Sequence, residues 1–540
     1  MRIVFARSIM QVLSLLLAVS AAATATDSAP DVAVVCPAEF RAALNPWLEF
    51  RRGQGHTVRI VSNDGSPEQI RERIRAVAKP GKLRFVLLAG GANPRLNSDA
   101  AVRHRSIPPH LEPAKVVVRW GPETEIASDN WYADLDGDGV PDVAIGRLTV
   151  ESAAELAAVV KKILAYEQQP DFHRWRSRIN FVAGASGFDP VVDALLETTA
   201  RRLISGGVPA AYETEFTYAN WHSAYCPDPR SFHATLVDRL NEGCLFWVYM
   251  GHGRRTGIDY LRLPAGRVRS LDCGDMSELH CTAGSPIALF LACYTGALDA
   301  SPRCLADELL RAPGGPVAII GGSRTTMPYA MAVFGSEMVD QCFRFHAATV
   351  GEAMLEAKRR MVGAGQTQWD SRRLLMDALA KAASPQGSDL AAERLDHLHL
   401  FNLIGDPLLA LHFPHEMELT AERSAMAGGE LAVSGRSPCE GRCTIELVAD
   451  HDDADAVQPR QKFESSDKAL AHYDDLYRQM NHPPLATTEA TVKSGQFIVA
   501  LQIPSIAAGR CRIRAFVASA CDCALGAAVI DVQPPANDTK

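Results

Sequence analysis

Six short apolar runs recur between residues 31 and 415, separated by stretches of helical periodicity. This alternation limits the fold more than any other feature of the 540-residue chain. The runs are DVAVVC (31–36), RFVLLAG (84–90), INFVAG (179–184), CLFWVYM (244–250), IALFLA (287–292) and PVAIIGG (316–322). Each is too short to cross a bilayer and too uniformly apolar to have a wet face, which marks strands buried on both sides. Between them lie segments such as 37–55, with a proline near its start and a glycine at its end. Another is 151–169, where Leu156, Val159, Val160, Ile163, Leu164 and Tyr166 are spaced for one helix face. Such alternation folds as a mostly parallel sheet covered by helices. After about residue 414 the texture changes. MELTAERSAMAGGELAVSG, CTIELVAD, GQFIVALQIP, CRIRAFVAS and LGAAVIDVQ read as short strands between Gly, Pro and Ser turns. They predict a β-sandwich-like domain over 414–540, interrupted by a polar, partly helical insertion at 452–484.

The first 25 residues stand outside this pattern. Arg2 and Arg7 precede IMQVLSLLLAVSAAA, and both Ala21-Ala22-Ala23 and Ala23-Thr24-Ala25 fit an A-x-A cleavage site. This predicts a secretory signal peptide over 1–25, the one membrane contact expected, and a secreted, extracytoplasmic protein; an uncleaved anchor is the alternative. A net charge of −8, with no basic cluster interleaved with aromatics, excludes a nucleic-acid partner. Export also changes how the 13 cysteines are read: in an oxidising compartment most are expected to pair in disulfides. No C-x-x-C pair occurs, which argues against zinc, and the odd count leaves at least one thiol over.

Two of the buried strands end in reactive groups. GCLFWVYM runs into Gly251-His252-Gly253, and IALFLA runs into Cys293. Parallel strands present functional groups at their carboxyl ends, so neighbouring strands would bring His252 and Cys293 to one sheet edge. A thiol beside an imidazole is the minimum for a cysteine nucleophile. Gly253 has no side chain to obstruct its N–H, which with the N–H of Cys293 would form an oxyanion hole. Taken singly, Cys293 reads equally as core filler or half a disulfide, and His252 as a structural histidine. Ser186, in GASG, lacks the G-x-S-x-G spacing of a serine elbow and reads as a loop residue.

A separate motif, DLDGDGVPD, sets Asp134, Asp136 and Asp138 at alternate positions, followed by Gly139 and Asp142. The spacing matches positions 1, 3, 5, 6 and 9 of an EF-hand loop, and hard carboxylate oxygens on a tight turn suit calcium. Val140 would add its carbonyl. Ile145 stands where an EF-hand places its bidentate Glu, so that ligand must come from elsewhere. A solvated acidic turn without metal is the other reading.

A strand ending in His-Gly, followed about forty residues later by one ending in Ala-Cys, resembles the caspase-like cysteine peptidases. Within them the chain is similar to the gingipain family. VVCPAEFRAALNPWLEFRRGQGHTVRIV (34–61) resembles its opening strand–helix–strand, and SDNWYADLDGDGVPDVAIGRLTVES (128–152) its next block. YMGHG and FLACYTG resemble the dyad, and FNLIGDPLLAL (401–411) the closing segment. The resemblance implies a doubly wound α/β fold with mostly parallel sheets in two subdomains, 26–170 and a catalytic 171–413, then an immunoglobulin-like domain over 414–540. It implies an endopeptidase acting on polypeptides through an acyl-enzyme. His252 would be general acid/base, Cys293 nucleophile, and Gly253 and Cys293 the oxyanion-hole amides. Two departures stand out. Ser186 falls where well-known members carry a Glu supporting the histidine, so either a dyad suffices or another acid orients His252. The same members place an acid near the start of the following helix to bind a basic P1 side chain; Asp189 and Asp193 lie in that neighbourhood, and both also suit an ordinary helix N-terminus. Those members also carry a long propeptide, for which no room is expected between the signal peptide and the first strand. The rival reading is a catalytically inactive, calcium-stabilised binding or adhesion protein of the same fold, whose β-domain meets a partner that the sequence leaves unnamed.

Overall fold

The computed structural model describes residues 29–92, 103–168, 172–185, 206–363, 371–383, 388–449, 459–481, 483–520 and 522–534. The signal segment, Ser186, Asp189, Asp193 and Cys521 lie outside the described residues.

Ten strands form one sheet: β1 (Val32–Val35), β2 (Val58–Val61), β3 (Phe85–Ala89), β4 (Ala144–Leu148), β5 (Arg178–Ala183), β6 (Glu213–Tyr218), β7 (Phe246–Met250), β8 (Ile287–Leu291), β9 (Ala318–Gly322) and β10 (Phe401–Ile404). Their order is β2-β1-β3-β4-β10-β9-β8-β7-β5-β6. Neighbours run parallel except β9 and β10, which pair antiparallel. Two parallel half-sheets therefore meet edge to edge, rather than standing as separate sheets. The strand that joins them, β10, is the last to be made.

Ten helices accompany the described strands: α1 (Arg41–Gly53), α2 (Pro67–Val77), α3 (Ala153–Gln168), α4 (Phe232–Asn241), α5 (Leu305–Arg311), α6 (Pro328–Phe343), α7 (Val350–Val362), α8 (Ser371–Ala383), α9 (Leu390–Leu400) and α10 (Asp467–Met480). None of these described helices is long and apolar enough to cross a membrane. Successive side chains of a strand point to opposite faces, and the core divides accordingly. Val32, Val34, Phe85 and Leu87 join Trp47 and Leu48 of α1 and Leu156 and Val159 of α3, whereas Ala33, Val35, Val86 and Leu88 join Ile70 and Ile74 of α2. Helices thus cover both faces, as the unbroken apolar runs foretell.

A buried ion cluster pins the first subdomain to the end of the unit. Arg51 of α1 forks onto Glu167 of α3, at 2.7 Å for each bond, and donates to Asp406, just past β10, at 2.6 Å. Trp47 Nε1 also donates to Asp406. All three charged side chains are at most 1% exposed, so each depends on the others for its hydrogen bonds.

The domain beyond residue 414 has its own core. Strands Gly441–Ala449, Ala486–Val492, Gly509–Ala518 and Cys523–Gln533 build the larger sheet; Glu418–Ala421, Glu430–Arg436 and Gln496–Gln502 build a second. Alternate residues such as Leu431, Val433, Ile445, Leu447, Ile513 and Ala515 meet between them. This domain sits at the amino ends of β5 and β6. There Arg174 bridges Glu213 of β6 (3.3 Å) and Glu446 (2.5 Å), and Arg514 adds a second bond to Glu446 at 3.0 Å.

The expected disulfides are not found: all twelve described cysteines are free thiols. Ten are buried, and for Cys36, Cys226, Cys281, Cys342, Cys443 and Cys523 burial pushes the thiol up to about 12. They behave as small apolar core residues, so an odd count singles out no nucleophile.

Candidate active site

The site grows from register. In the β7–β8 pair Met250 stands opposite Leu291, and Gly251 N–H continues the ladder onto Leu291 O at 3.2 Å. His252 and Cys293 each lie two residues beyond that pair, so they leave the sheet side by side. The glycine after the histidine gives an independent measure of closeness. A Cβ placed on Gly253 would lie 2.3 Å from Cys293 O, 2.9 Å from Ala292 Cβ and 2.9 Å from Thr295 Cγ2. Only glycine lets the two backbones approach this closely.

The backbone of His252 is fixed from two directions. Its carbonyl accepts the Tyr249 hydroxyl at 2.8 Å and the Asp259 N–H at 3.1 Å. The imidazole is exposed. Gly253 then pairs with Ile258 in a short antiparallel hairpin. Because the Asp259-to-His252 bond flanks that pair, Gly253 is at a non-hydrogen-bonded position, with its N–H turned out of the ladder.

Cys293 is half-buried, and Thr326 is its near neighbour. Thr326 N–H points at Sγ from 3.3 Å, and its hydroxyl lies at 3.4 Å. A thiolate here finds one backbone and one side-chain donor in place. The turn that presents the thiol is strained: Tyr294, the next residue, has φ +60°, a region that side-chain-bearing residues avoid. Three bonds hold it. Tyr294 N–H donates to Arg324 O at 3.1 Å, its hydroxyl donates to Glu123 at 2.7 Å, and Thr325 donates to that hydroxyl at 3.1 Å. Arg255 joins from above, bonding Glu123 at 2.7 Å with its guanidinium 5.5 Å from the Tyr294 ring centre.

The Thr326 segment is held in turn from α9. Met327 N–H donates to Nε2 of His397 at 2.7 Å, and Nδ1 of the same ring lies 2.7 Å from Glu393 O. With one nitrogen accepting and the other facing a carbonyl, the ring is the neutral Nδ1–H tautomer. Complete burial agrees, lowering its pKa to about 4.

Thr326, His397, Glu123 and Tyr249 were not anticipated from the sequence. For Thr326 a signal existed: the strand-end rule that selects His252 and Cys293 applies equally to PVAIIGG, the next strand across. His397 and Glu123 arrive from a helix and a loop far away in sequence, and no local pattern announces them.

The acidic loop is separate. Carboxylate oxygens of Asp134, Asp136 and Asp138 lie within 4.8 Å of one another, close enough to share a cation. The loop turns at Gly137 and Gly139, with φ +91° and +88°. Asp142 stands apart from the trio, its Oδ2 accepting the N–H groups of Leu135 (2.6 Å) and Asp136 (3.2 Å). Arg71 already pairs with Asp134 Oδ2 at 2.8 Å. The donor set therefore fits a hard cation in part: three carboxylates converge, and one of them is shared with a guanidinium. A second trio, His233, Asp275 and Glu278, is also close enough to chelate, but both His233 (3.0 Å) and Arg269 pair with Asp275 there.

The chain is similar to known proteins in sequence and in fold. Lys-gingipain of Porphyromonas gingivalis is 24% identical over 302 residues, covering 54% of this chain and 15% of that protein. Lys-gingipain HG66 of the same organism gives the same figures. The chain thus matches about 15% of the length of these curated relatives. The crystal structure of the Arg specific cysteine proteinase gingipain R (RGPB) matches with a TM-score of 0.53 and 18% identity, over 94% of this chain and 99% of that one. The complex of Porphyromonas gingivalis RgpB pro- and mature domains gives 0.52 and 17%, over 93% and 100%. At such identity the structures speak for the fold, a caspase-like α/β unit followed by a β domain. The likeness to gingipains read from four sequence blocks is borne out. A sequence model of peptidase family C25 matches residues 25–412, the whole α/β unit, and the chain belongs to that family.

Proposed function

We propose that this chain is an exported cysteine endopeptidase that cleaves polypeptides through Cys293 and His252. One observation carries the reading: two adjacent parallel strands, in register, deliver an imidazole and a thiol to one edge, with Gly253 pressed against the Cys293 carbonyl. Cys293 Sγ attacks the scissile carbonyl as thiolate, and the carbonyl electrons move onto oxygen. The N–H groups of Gly253 and Cys293 receive that oxyanion, a contribution of roughly 3 kcal/mol per donor. His252, as imidazolium, gives its proton to the departing amine and leaves an acyl-enzyme. Water, deprotonated by His252, then attacks the acyl carbon, the acid departs with cleavage of its bond to Sγ, and the thiolate–imidazolium pair is restored.

In the same reading residues 1–25 direct export, and Asp189 and Asp193 bind a basic P1 side chain. The β domain is immunoglobulin-like. Asp134, Asp136 and Asp138, with the Val140 carbonyl and Asp142, hold a structural calcium that pins their loop, in competition with Arg71 for Asp134.

The test pairs the mature protein with its Cys293→Ala variant against a diverse peptide library, under reducing, calcium-containing conditions, with products read by mass spectrometry. Cleavage by the parent alone is expected. No cleavage by a folded parent, or equal cleavage by both, overturns the reading.

A further inference from the structure

The insertion in the β domain does not serve that domain's core. It departs after Ala449 and returns at Ala486, where Leu485 N–H meets Leu447 O at 2.7 Å. In between, residues 459–481 climb the edge strand β6 of the α/β sheet. At mid-strand, the Asn481 side chain accepts Phe216 N–H at 2.7 Å and donates to Phe216 O at 3.1 Å, as one residue of an eleventh strand would. Tyr477 and Thr217 share a hydroxyl contact at 2.7 Å, and Asp474 accepts Asp228 N–H at 2.7 Å. Beyond the carboxyl end of β6, Arg460 N–H donates to His222 O at 2.8 Å, and Arg460 O lies 2.6 Å from His222 Nδ1. Trp221 stacks on His222 with centroids 3.6 Å apart, and Phe463 meets Trp221 edge-on at 5.6 Å.

That upper cluster lies at the same end of the sheet as His252 and Cys293, and the connection is continuous. Asn220 bridges to Arg262, in the hairpin that follows Asp259, whose N–H holds the His252 carbonyl. Covering the open edge of β6 accounts for α10 and Asn481. It does not account for three half-buried rings beyond the strand's end, where no edge remains to cover.

We infer that this strap completes the substrate cleft: Trp221, His222 and Phe463 form a subsite for an aromatic or large apolar side chain of an extended polypeptide held at Cys293. The inference rests on the peptidase reading above. The sheet sets the distance. Cys293 follows β8 and the cluster follows β6, three strand positions across. At about 4.8 Å per strand the separation is about 14 Å, and an extended peptide advances about 3.3 Å per residue. The recognised side chain is therefore about four residues from the cleaved bond. A ring laid against the open surfaces of Phe463 and Trp221 would gain from apolar burial and from aromatic contact.

The experiment profiles cleavage by the full chain and by Phe463→Ala, using peptides that extend five residues to each side of the cleaved bond and versions truncated to two. Melting curves confirm that both proteins are folded; because Phe463 is only half-buried, a second variant, Phe463→Trp, keeps a ring in place. The parent is expected to prefer an aromatic residue about four positions from the bond. The long-to-short ratio of kcat/KM should fall roughly tenfold in Phe463→Ala, the worth of one large apolar side chain, and persist in Phe463→Trp. An unchanged profile in Phe463→Ala, or a parent indifferent at that distance, overturns the subsite while leaving the peptidase reading intact. A parent that cleaves no peptide of either length overturns both.

Discussion

Replacing Gly253 by alanine tests the geometry at its tightest point. The added Cβ would lie 2.3 Å from Cys293 O, and 2.9 Å from side-chain carbons of both Ala292 and Thr295. The oxygen cannot rotate away like the end of a flexible side chain, because it belongs to the turn that presents the thiol. Moving it out to 3.0 Å, the nearest that real Cβ atoms come, takes about 0.7 Å, and the Ala292 and Thr295 carbons at 2.9 Å must give way as well. Overpacking of this kind costs roughly 1–3 kcal/mol of stability, a few degrees of melting temperature in a unit of this size. The chemical cost should be far larger. Misplacement approaching an ångström costs about a hundredfold, and displacing the Gly253 N–H removes the proposed oxyanion donor, worth a similar factor. The expected result is a folded protein, melting within a few degrees of the parent, whose kcat/KM on peptides falls at least a hundredfold. The assay is steady-state cleavage beside a calorimetric or fluorescence melt. A Gly253→Ala protein that keeps activity within threefold of the parent would refute both the packed contact and the oxyanion role.

Four further outcomes follow from the same contacts. Thr326→Val keeps the N–H but loses the hydroxyl 3.4 Å from Cys293 Sγ, and iodoacetamide labelling of Cys293 near neutral pH should slow several-fold; an unchanged rate removes Thr326 from the site. His397 and His399 are buried neutral, with pKa values lowered from 6.5 to about 4 and about 3, so between those values and 6.5 the unfolded chain binds more protons than the folded one. Stability, followed by denaturant titration, should therefore be whole above about pH 6.5 and decline as pH falls towards 4, by up to about 1.4 kcal/mol per pH unit for each ring; a flat profile over that window contradicts their burial. Arg51→Met strands the buried Glu167 and Asp406 without their shared cation and should cost about 3–5 kcal/mol by equilibrium unfolding, whereas a loss under 1 kcal/mol would mean the cluster is replaceable packing. Calcium at a hundred times its dissociation constant should stabilise the parent by about 2.7 kcal/mol and leave Asp136→Ala with Asp138→Ala unmoved; equal melting of the parent in calcium and in chelator argues that the loop is only a solvated turn.

What the sequence reveals of this fold follows from where each strand lies. The runs that become β1, β3, β5, β7, β8 and β9 are buried on both faces, and only the buried Asn180 of β5 interrupts their apolar interiors. β6 is harder to see because it is an edge: ETEFTY alternates, and four of its six residues are only half-buried. β4 is masked by Arg147, a fully buried guanidinium forked onto Asp129 at 2.7 and 2.6 Å inside an otherwise apolar strand. For the candidate site, strand-end logic picks out His252, Cys293 and Gly253, which the register does bring to one end of the sheet, because such placement follows from position on a parallel sheet. The supports of the Cys293 turn come from Glu123, Thr326 and His397, and only tertiary packing brings those together. Cysteine parity misleads, since it presumes a redox constraint, whereas the described thiols fill core volume.

The position of β10 has a consequence for when this protein becomes competent. Residues 252 and 293 are synthesised long before residue 404, yet the sheet stays open between β4 and β9 until Phe401–Ile404 enters as its central strand. The same late segment carries His397, without which Met327 and the Thr326 donors have no anchor. A nascent chain that has emerged only to residue 390 therefore holds both reactive groups on an unfinished scaffold, with two raw strand edges awaiting the same four residues. Connectivity alone works as an interlock: the surroundings of Cys293 are completed last, by the segment that also declares the domain complete.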